Sequence, residues 1–349
     1  MLSWAKRLFQ RSILNGLAER SDQSLKAFLR ILANCLSIII LLSILPALLL
    51  TITAFLGSWD WRLDLTSHFR PWYFLMEAVA TVLFLILGRK RLALMTALFL
   101  MLNASQLWPL YIMPHNVSQS FQTHFKLMQF NVCAPAKDYS RFNRYITQEK
   151  PDMIVMEECG ENCNANLNQA QVWKQYPYQF KKIPRRHRLV VVSKFPLRID
   201  STPKLHADPA VALLTLSLPS QPIQLFVMHS TRPSSGAPYY KNQIAQFKAI
   251  GQLASQSRLP FLMAGDLNVS PWNYSFGLLL HDSHLKNTMD GFGFQPSFPT
   301  FVPHVEKAPI FPVIPIDQVL VSKEFSVLNR HTGPRLQSDH LPVIVELGL

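Results

Sequence analysis

Cysteine is scarce in this sequence of 349 residues: Cys35, Cys133, Cys159 and Cys163 are the four, and none stands at a zinc-type spacing with histidine. A structural Cys/His zinc module is thereby excluded. No internal repeat or low-complexity tract is present, so the chain is not a solenoid. Regular interleaving of aromatic and basic residues, the pattern that stacks a single nucleic-acid strand, is also missing. Acidic residues are in short supply, 21 against 34 Lys and Arg, for a net charge of +13 at pH 7. The excess is shared, with 11 basic and 5 acidic residues in 1–115 and 23 and 16 afterwards. A basic surface suits a phosphate-bearing partner such as nucleic acid or an anionic lipid head group, and it equally serves solubility or adhesion to an anionic membrane.

Apolar residues are abundant, at 49% with a mean hydropathy of +0.12, and they are concentrated between Ile31 and Pro114. The change of composition puts a boundary near residues 115–123. Ile31 to Phe55 carries no charge and exceeds the ~20 residues a bilayer-crossing helix needs, with Pro46 as a tolerable kink. Pro71 to Gly88, interrupted by Glu77, and Leu92 to Met113 are two further runs, with Trp72, Tyr73, Trp108 and Tyr111 suited to the interfaces. Three spanning helices are expected. The first is not a cleaved signal, because a polar leader precedes it and further spans follow. Glu77 is expected to tuck against neighbouring helices near the interface, the alternative being a functional intramembrane carboxylate.

Lys6, Arg7, Arg11, Arg20, Lys26 and Arg30 precede the first span, and Arg89, Lys90 and Arg91 fill the turn between the second and third. Both basic groups are expected on the cytoplasmic side, which puts everything after Met113 across the membrane, in a bacterium the periplasm. Cys159 and Cys163 form a disulfide if that compartment is oxidising, or remain buried thiols.

Beyond Phe125 the pattern changes to short apolar runs. Phe125–Val132, Met153–Met156, Leu189–Ser193, Val211–Leu218, Ile223–Met228, Pro260–Ala264, Ile316–Val321 and Pro342–Leu347 read as strands, Tyr239–Ser255 and Trp272–Leu280 as helices. Several strands are apolar along their whole length, which predicts burial on both faces under covering helices. Phe298 to Pro315, with Pro299, Pro303, Pro309, Pro312 and Pro315, reads as a long irregular loop of the kind that often carries function.

Polar residues recur where these strands end or begin: Asn131, Glu158, His229, Asp266 with Asn268, Asp317, and Asp339 with His340. Sites gather at strand ends in open α/β architectures. Asp266 and Asn268, two apart, share a side if the strand continues, although an Asp/Asn turn is equally ordinary. Glu158, a better ligand candidate than Glu157, suits a hard cation that takes one or two carboxylates and keeps water for a phosphate. Asp339 and His340 can divide orientation and proton handling, with Asp317 fixing the imidazole tautomer.

The ordered set QFNV, PDMIVMEE, VVVSKFPL, FVMHS, GDLN, IDQVLVS and SDHLPV resembles the endonuclease/exonuclease/phosphatase superfamily over roughly residues 125–349. That superfamily includes DNase I-like nucleases, exonuclease III-like enzymes, sphingomyelinases and inositol polyphosphate phosphatases, and the layout is similar to its membrane-anchored bacterial members. The resemblance implies an α/β (α+β) fold, a four-layer sandwich of two mixed β-sheets flanked by helices, preceded by the transmembrane region. It implies a basic leader in 1–30, about three membrane helices in 31–114 and a catalytic domain in 115–349. It further implies hydrolysis of a phosphodiester or phosphomonoester by in-line attack of an activated water, with Mg²⁺ or Mn²⁺.

By the same resemblance Glu158, Asn131 and Asp339 form the metal side, with Asn131 and Asn268 also holding phosphate. His340, oriented by Asp317, contacts the scissile phosphate; Asp266 orients or deprotonates the water; His229 acts on phosphate or leaving group. Glu157 stands where many relatives carry a neutral residue, and HSTRP departs from the His-Leu type frequent in secreted nucleases. The cluster Lys181, Lys182, Arg185, Arg186, His187 and Arg188 matches no motif; Arg186 and Arg188 are candidates to grip an anionic substrate, beside membrane adhesion or solvated surface charge. The expected substrate is nucleic acid or a phospholipid, the second partner is the bilayer, and no feature identifies a protein partner. A catalytically silent membrane scaffold is the alternative and predicts erosion of these residues, all of which are present. A transporter fits poorly, since three spans with one ionisable residue offer little for a path.

Overall fold

The apolar runs of the second half fold as strands of two sheets stacked face to face. The computed structural model describes residues 2–112, 121–133, 138–182, 188–205, 210–301, 310–311 and 313–349, with the backbone alone for residues 2–22 and Lys182. Pro303, Pro309 and Pro312 of the expected loop, and Arg185, Arg186 and His187 of the basic cluster, lie outside the described residues.

The chain opens with four helices, α1 (Leu2–Thr53), α2 (Trp61–Thr66), α3 (Arg70–Ile86) and α4 (Lys90–Leu107). Then come β1 (His124–Asn131), α5 (Ser140–Glu149), β2 (Met153–Glu157), α6 (Glu161–Gln169), β3 (Tyr178–Lys182), β4 (Leu189–Ser193), β5 (Leu197–Ser201) and β6 (Ala210–Ser217). The remainder is β7 (Pro222–His229), α7 (Ala237–Ser255), β8 (Phe261–Asp266), α8 (Tyr274–Ser283), β9 (Lys286–Asn287), β10 (Asp317–Val321), β11 (Ser326–Thr332) and β12 (Val343–Gly348).

One sheet has the order β11-β12-β1-β2-β4-β3 and the other β5-β6-β7-β8-β10-β9. Both are mixed: β1 runs parallel to β2 and β7 parallel to β8, while the other pairs are antiparallel. A parallel pair needs a crossover long enough to return the chain, and α5 and α7 supply them. Strand alternation then fills three apolar layers. Leu127, Val155, Val191, Leu225, Ala264 and Val345 pack between the sheets, Met128, Ile154 and Val190 pack outward with α5 and α6, and Phe226, Phe261 and Met263 with α7 and α8. This four-layer sandwich of two mixed sheets flanked by helices is the expected fold, and its doubly covered strands explain the absence of polar alternation.

The edge strands β3, β5 and β11 escape a sequence reading because they carry charge, as in LRIDS and SVLNRHT, which is how exposed edges avoid pairing with other chains. Helix α5 (SRFNRYITQE) is polar overall and buries only Phe142, Tyr145 and Ile146.

The chain divides into two compact units, Met1–Thr51 with Pro71–Ala104, and Ile52–Arg70 with Ser105–Leu349. Within the first, Ile44, Ala47, Leu48, Ala80, Phe84 and Ala93 form a core, while Leu42, Leu49, Leu75, Val79, Leu85 and Leu94 point outward. Apolar residues inside and outside alike are what a helix in lipid requires. Three stretches are long and apolar enough to cross a bilayer, Gln23–Thr53, Trp61–Ile86 and Lys90–Tyr111. Glu77 is fully buried and accepts hydrogen bonds from Thr51 Oγ1 (2.8 Å) and Asn103 Nδ2 (2.9 Å). Its carboxylate is tied to neighbouring helices, as a buried charge must be.

The second unit takes in the segment between α1 and α3. Asp64, 1% exposed, accepts from the Tyr274 and Ser275 backbone N–H groups (2.6 and 3.3 Å) and from Ser275 Oγ (3.0 Å), clasping the first turn of α8. Such a carboxylate satisfies N–H groups that a helix start leaves without intrahelical partners. Arg70 stacks its guanidinium on Phe55, 3.9 Å from the ring centroid.

Candidate active site

The two parallel pairs discharge their carboxyl ends at one edge of the sandwich. Asn131 ends β1, Glu157 ends β2, His229 ends β7 and Asp266 ends β8, while Asp317 starts β10 opposite Asp266 and His340 leads into β12. Face-to-face stacking of the sheets brings the two sets together. Within one sheet, Gly265 permits the close approach of β8 to β7, because a Cβ there would overlap the Met228 carbonyl oxygen.

Asp266 is the centre. Its Oδ2 lies 3.5 Å from His229 Nε2, 3.7 Å from His340 Nε2 and accepts from Asn131 Nδ2 at 3.1 Å, while Oδ1 accepts the Asn268 N–H at 3.0 Å. Burial raises the Asp266 pKa, against the opposing pull of the two imidazoles. Asn268 Nδ2 donates to the Ser230 carbonyl (3.2 Å), which fixes the amide beside the carboxylate.

Behind His340 stands Asp317, whose Oδ2 lies 2.8 Å from Nδ1. Asp317 also accepts from Ser297 Oγ (2.6 Å) and Gln129 Nε2 (2.9 Å). Burial works to raise its pKa, but the His340 charge and these hydrogen bonds outweigh it and hold the carboxyl below the ordinary value. Burial lowers the basicity of His340, yet Asp317 and Asp266 carry its pKa up to about 10, so the ring is an imidazolium at neutral pH. Phe298 covers it at a centroid distance of 4.7 Å.

A second group of oxygens lies to one side. Glu158 Oε1 accepts from Asn131 Nδ2 at 3.2 Å. The Cys133 thiol is pushed up to about 12 by burial and then by the carboxylates of Asp339 and Glu158, both close enough to act on it. Glu157 is turned elsewhere: it is fully buried, accepts from Gln129 Nε2 at 3.0 Å, and burial together with Asp317 and Asp266 raises its pKa well above the ordinary value. Among these adjacent acids, Glu158 is the one beside Asn131. Backbone strain collects here, since Cys133, Glu158, Asn268 and Gln337 all have φ between 53° and 67°. Such conformations cost about 1–3 kcal/mol each and persist where the surroundings over-determine them, commonly at working sites.

Residues 128–340 match the model of the Endonuclease/Exonuclease/phosphatase family. The chain belongs to that family.

Members of the endonuclease/exonuclease/phosphatase family are hydrolases of phosphoester bonds and generally use divalent metal ions. No curated protein matches the sequence. Solved structures do. An endonuclease/exonuclease/phosphatase protein from Beutenbergia cavernae is 20% identical with a TM-score of 0.50, over 65% of this chain and 72% of that one. One from Bacteroides thetaiotaomicron is 16% identical with a TM-score of 0.50, over 64% and 97%. The D. rerio TDP2 structure with a single-strand DNA product is 13% identical with a TM-score of 0.51, over 65% and 100%. At these identities the likeness is one of fold.

Two sets of side chains have the composition of a cation site. Asp266, Asp317 and His340 offer atoms within 4.8 Å of one another, with His340 Nδ1 already engaged by Asp317 at 2.8 Å. Glu158, Asp339 and the Asn131 side-chain oxygen are hard oxygen donors, a composition that suits a divalent ion of the magnesium type. Arg188 sits close by, its carbonyl accepting the Cys159 N–H, with its guanidinium 3.9 Å from Glu161. Arg186 lies outside the described residues.

Gln129 and Ser297 were not among the expected site residues. Gln129 bridges Glu157 and Asp317, and its signal was a lone amide in an apolar strand, two residues before Asn131. Ser297 carried no local signal, because only the fold brings it to Asp317.

Proposed function

We propose that this protein is a membrane-anchored, divalent-metal-dependent phosphoesterase that cleaves a phosphodiester or phosphomonoester outside the cytoplasm. The convergence of His229, His340 and Asn131 on one buried oxygen of Asp266 carries the reading. Water attacks phosphorus in line with the departing oxygen, and the new P–O bond forms as the ester P–O bond breaks. Asp266, made more basic by burial, takes the proton of the attacking water. His229, on the same carboxylate oxygen, passes a proton to the departing oxygen. His340 remains an imidazolium, held by Asp317, and offsets negative charge gathering on the phosphoryl oxygens. Asn131 and Asn268 orient phosphate oxygens. Glu158, Asp339 and Asn131 would hold Mg²⁺ or Mn²⁺, which supplies charge stabilisation and a template for phosphate.

Two observations support the membrane arrangement. Ile52–Arg70 and Ser105–Leu349 pack as one unit, so both lie on the same side of a bilayer, and an even number of crossings, α3 and α4, separates them. Cys159 and Cys163 form a disulfide, a bond that persists in oxidising compartments. With the basic leader and Arg89, Lys90 and Arg91 cytoplasmic, the catalytic unit faces the periplasm of a bacterium. The retained acid and imidazole pairs argue against a silent scaffold.

The full chain should hydrolyse a nitrophenyl phosphodiester only with added Mg²⁺ or Mn²⁺, and Asp266→Asn and His340→Gln should each lower turnover by roughly 10²-fold or more. Metal-independent turnover, or full activity in either variant, overturns the reading.

A further inference from the structure

Asn268 does more than end the GDLN turn. It lines a cavity of about 260 Å³ whose other described walls are largely carbon, with Leu65, Phe69, Phe298, Ile314 and Ile316. Among the described residues, Arg232 is its one aliphatic cation and His68 its imidazole. Leu65, His68 and Phe69 come from the segment between α1 and α3, so a stretch outside the family-matched residues 128–340 supplies a wall of the site.

That wall is fixed in place. His68, 6% exposed, holds Ser270 Oγ through Nδ1 at 2.6 Å, and Asp64 clasps Tyr274 and Ser275 on the turn that follows Asn268. Asn273 Nδ2 adds a bond to the Asp64 carbonyl at 2.8 Å. The same segment presents exposed aromatics, Trp59 at 79%, Phe55 at 44% and Phe69 at 42%. Phe69 is one residue from α3 and Phe55 two from the end of α1, both helices of bilayer-crossing character, so covalent continuity keeps these rings within a few ångströms of the points where the chain enters lipid. Exposed aromatics at such points are the usual interfacial anchors.

We propose that Ile52–Arg70 is a built-in wall of the substrate cleft and that the substrate is a membrane lipid phosphoester, its phosphate at Asp266 and Asn268 and the first apolar groups next to the head group against Leu65, Phe69 and Phe298. This rests on the phosphoesterase reading above. A nucleic-acid track needs a run of cations along the backbone, and among the described residues of this lining Arg232 is the one aliphatic cation. The volume is below the ~300–1,000 Å³ typical of sites that engulf a whole small molecule, so the site grips the part of the lipid beside its phosphate and leaves the rest in the bilayer.

The test uses the full chain in proteoliposomes with Mg²⁺, offering a soluble nitrophenyl phosphodiester, phospholipids of graded acyl length, and single- and double-stranded DNA and RNA. The expected result is that kcat/KM climbs with acyl length, by about fourfold for each methylene buried, until the cleft is filled, and that lipids outrun nucleic acids. Phe69→Ser and Leu65→Asn should flatten that climb mainly through KM. Ile314→Ser on the opposite wall should do the same, which keeps the proposal testable if one variant folds poorly. Turnover of the soluble diester with no dependence on acyl length, or faster cleavage of nucleic acid, overturns the lipid assignment and leaves the phosphoesterase reading standing. No metal-dependent turnover of any substrate overturns both.

Discussion

Buried carboxylates in the helical unit and at the strand ends of the sandwich keep different company. In the helical unit the hydrogen bonds that Glu77 accepts include those of a hydroxyl and an amide, Thr51 and Asn103. In the sandwich Asp266 and Asp317 meet His229 and His340, groups that gain and lose protons. Neutral donors satisfy a carboxylate and hold helices together; imidazoles beside a carboxylate move their own proton affinity and make proton transfer available. Burial of an acid is therefore no mark of a working site until its partners are named.

Changing the sandwich carboxylate should have the largest effect. Asp266→Asn keeps the shape but removes the proton acceptor, and kcat should fall by roughly 10²–10⁴-fold while circular dichroism stays unchanged. Retained activity would erase the distinction from Glu77. Glu158→Gln weakens the proposed metal side, and the Mg²⁺ concentration for half-maximal rate should rise by about 10–100-fold, read from metal titrations of initial rate.

Asp317→Asn tests the partner rather than the acid. Removing that anion takes away the largest stabiliser of the imidazolium, so the His340 pKa falls from about 10. The alkaline limb of the pH–rate profile then moves to lower pH, and imidazole NMR follows the same shift. The linkage to stability has a definite sign. His340, raised from 6.5, contributes stability that is complete below 6.5 and is lost as pH rises through about 10. Asp317, depressed below 3.8, contributes stability present above 3.8 and lost as pH falls through its folded value. In thermal melts the variant should lose the acid dependence, and the alkaline one should shrink and move to lower pH, since Asp266 still raises the His340 pKa.

Asp64→Ala probes a third buried acid, which serves backbone donors of α8. Leaving them unmet should cost roughly 1–3 kcal/mol in denaturant unfolding. Glu77→Gln should be mildest. An amide can still pair with Thr51 and Asn103, so activity should be unchanged and thermal stability nearly so, and a large loss of turnover would assign Glu77 a role in chemistry.

Much of the sandwich was legible in the sequence because doubly buried strands announce themselves as short, wholly apolar runs. Met153–Glu157 and Leu189–Ser193 fall within a residue of the expected strands, while β5 and β11 did not announce themselves, being polar edges. The polar strand ends were legible too, and Asn131, Asp266, Asp317 and His340 gather as neighbours. Glu158 was the better ligand candidate of the adjacent acids, and the turn at φ 53° after β2 that sets it beside Asn131 had no local signal.

By itself the sequence determined the class of fold, the three apolar stretches of bilayer length and the chemical types available at the strand ends, because periodicity and composition act over a few residues. Only the tertiary structure decided that Gln129 and Ser297 support Asp317, that Glu158 and Asp339 lie close enough to Cys133 to act on its thiol, and that Asp64 and His68 bind residues 52–70 to the catalytic unit. Those contacts join residues up to 211 positions apart, and the stacking of two sheets and the return of the chain between helices set them, information that no local window contains.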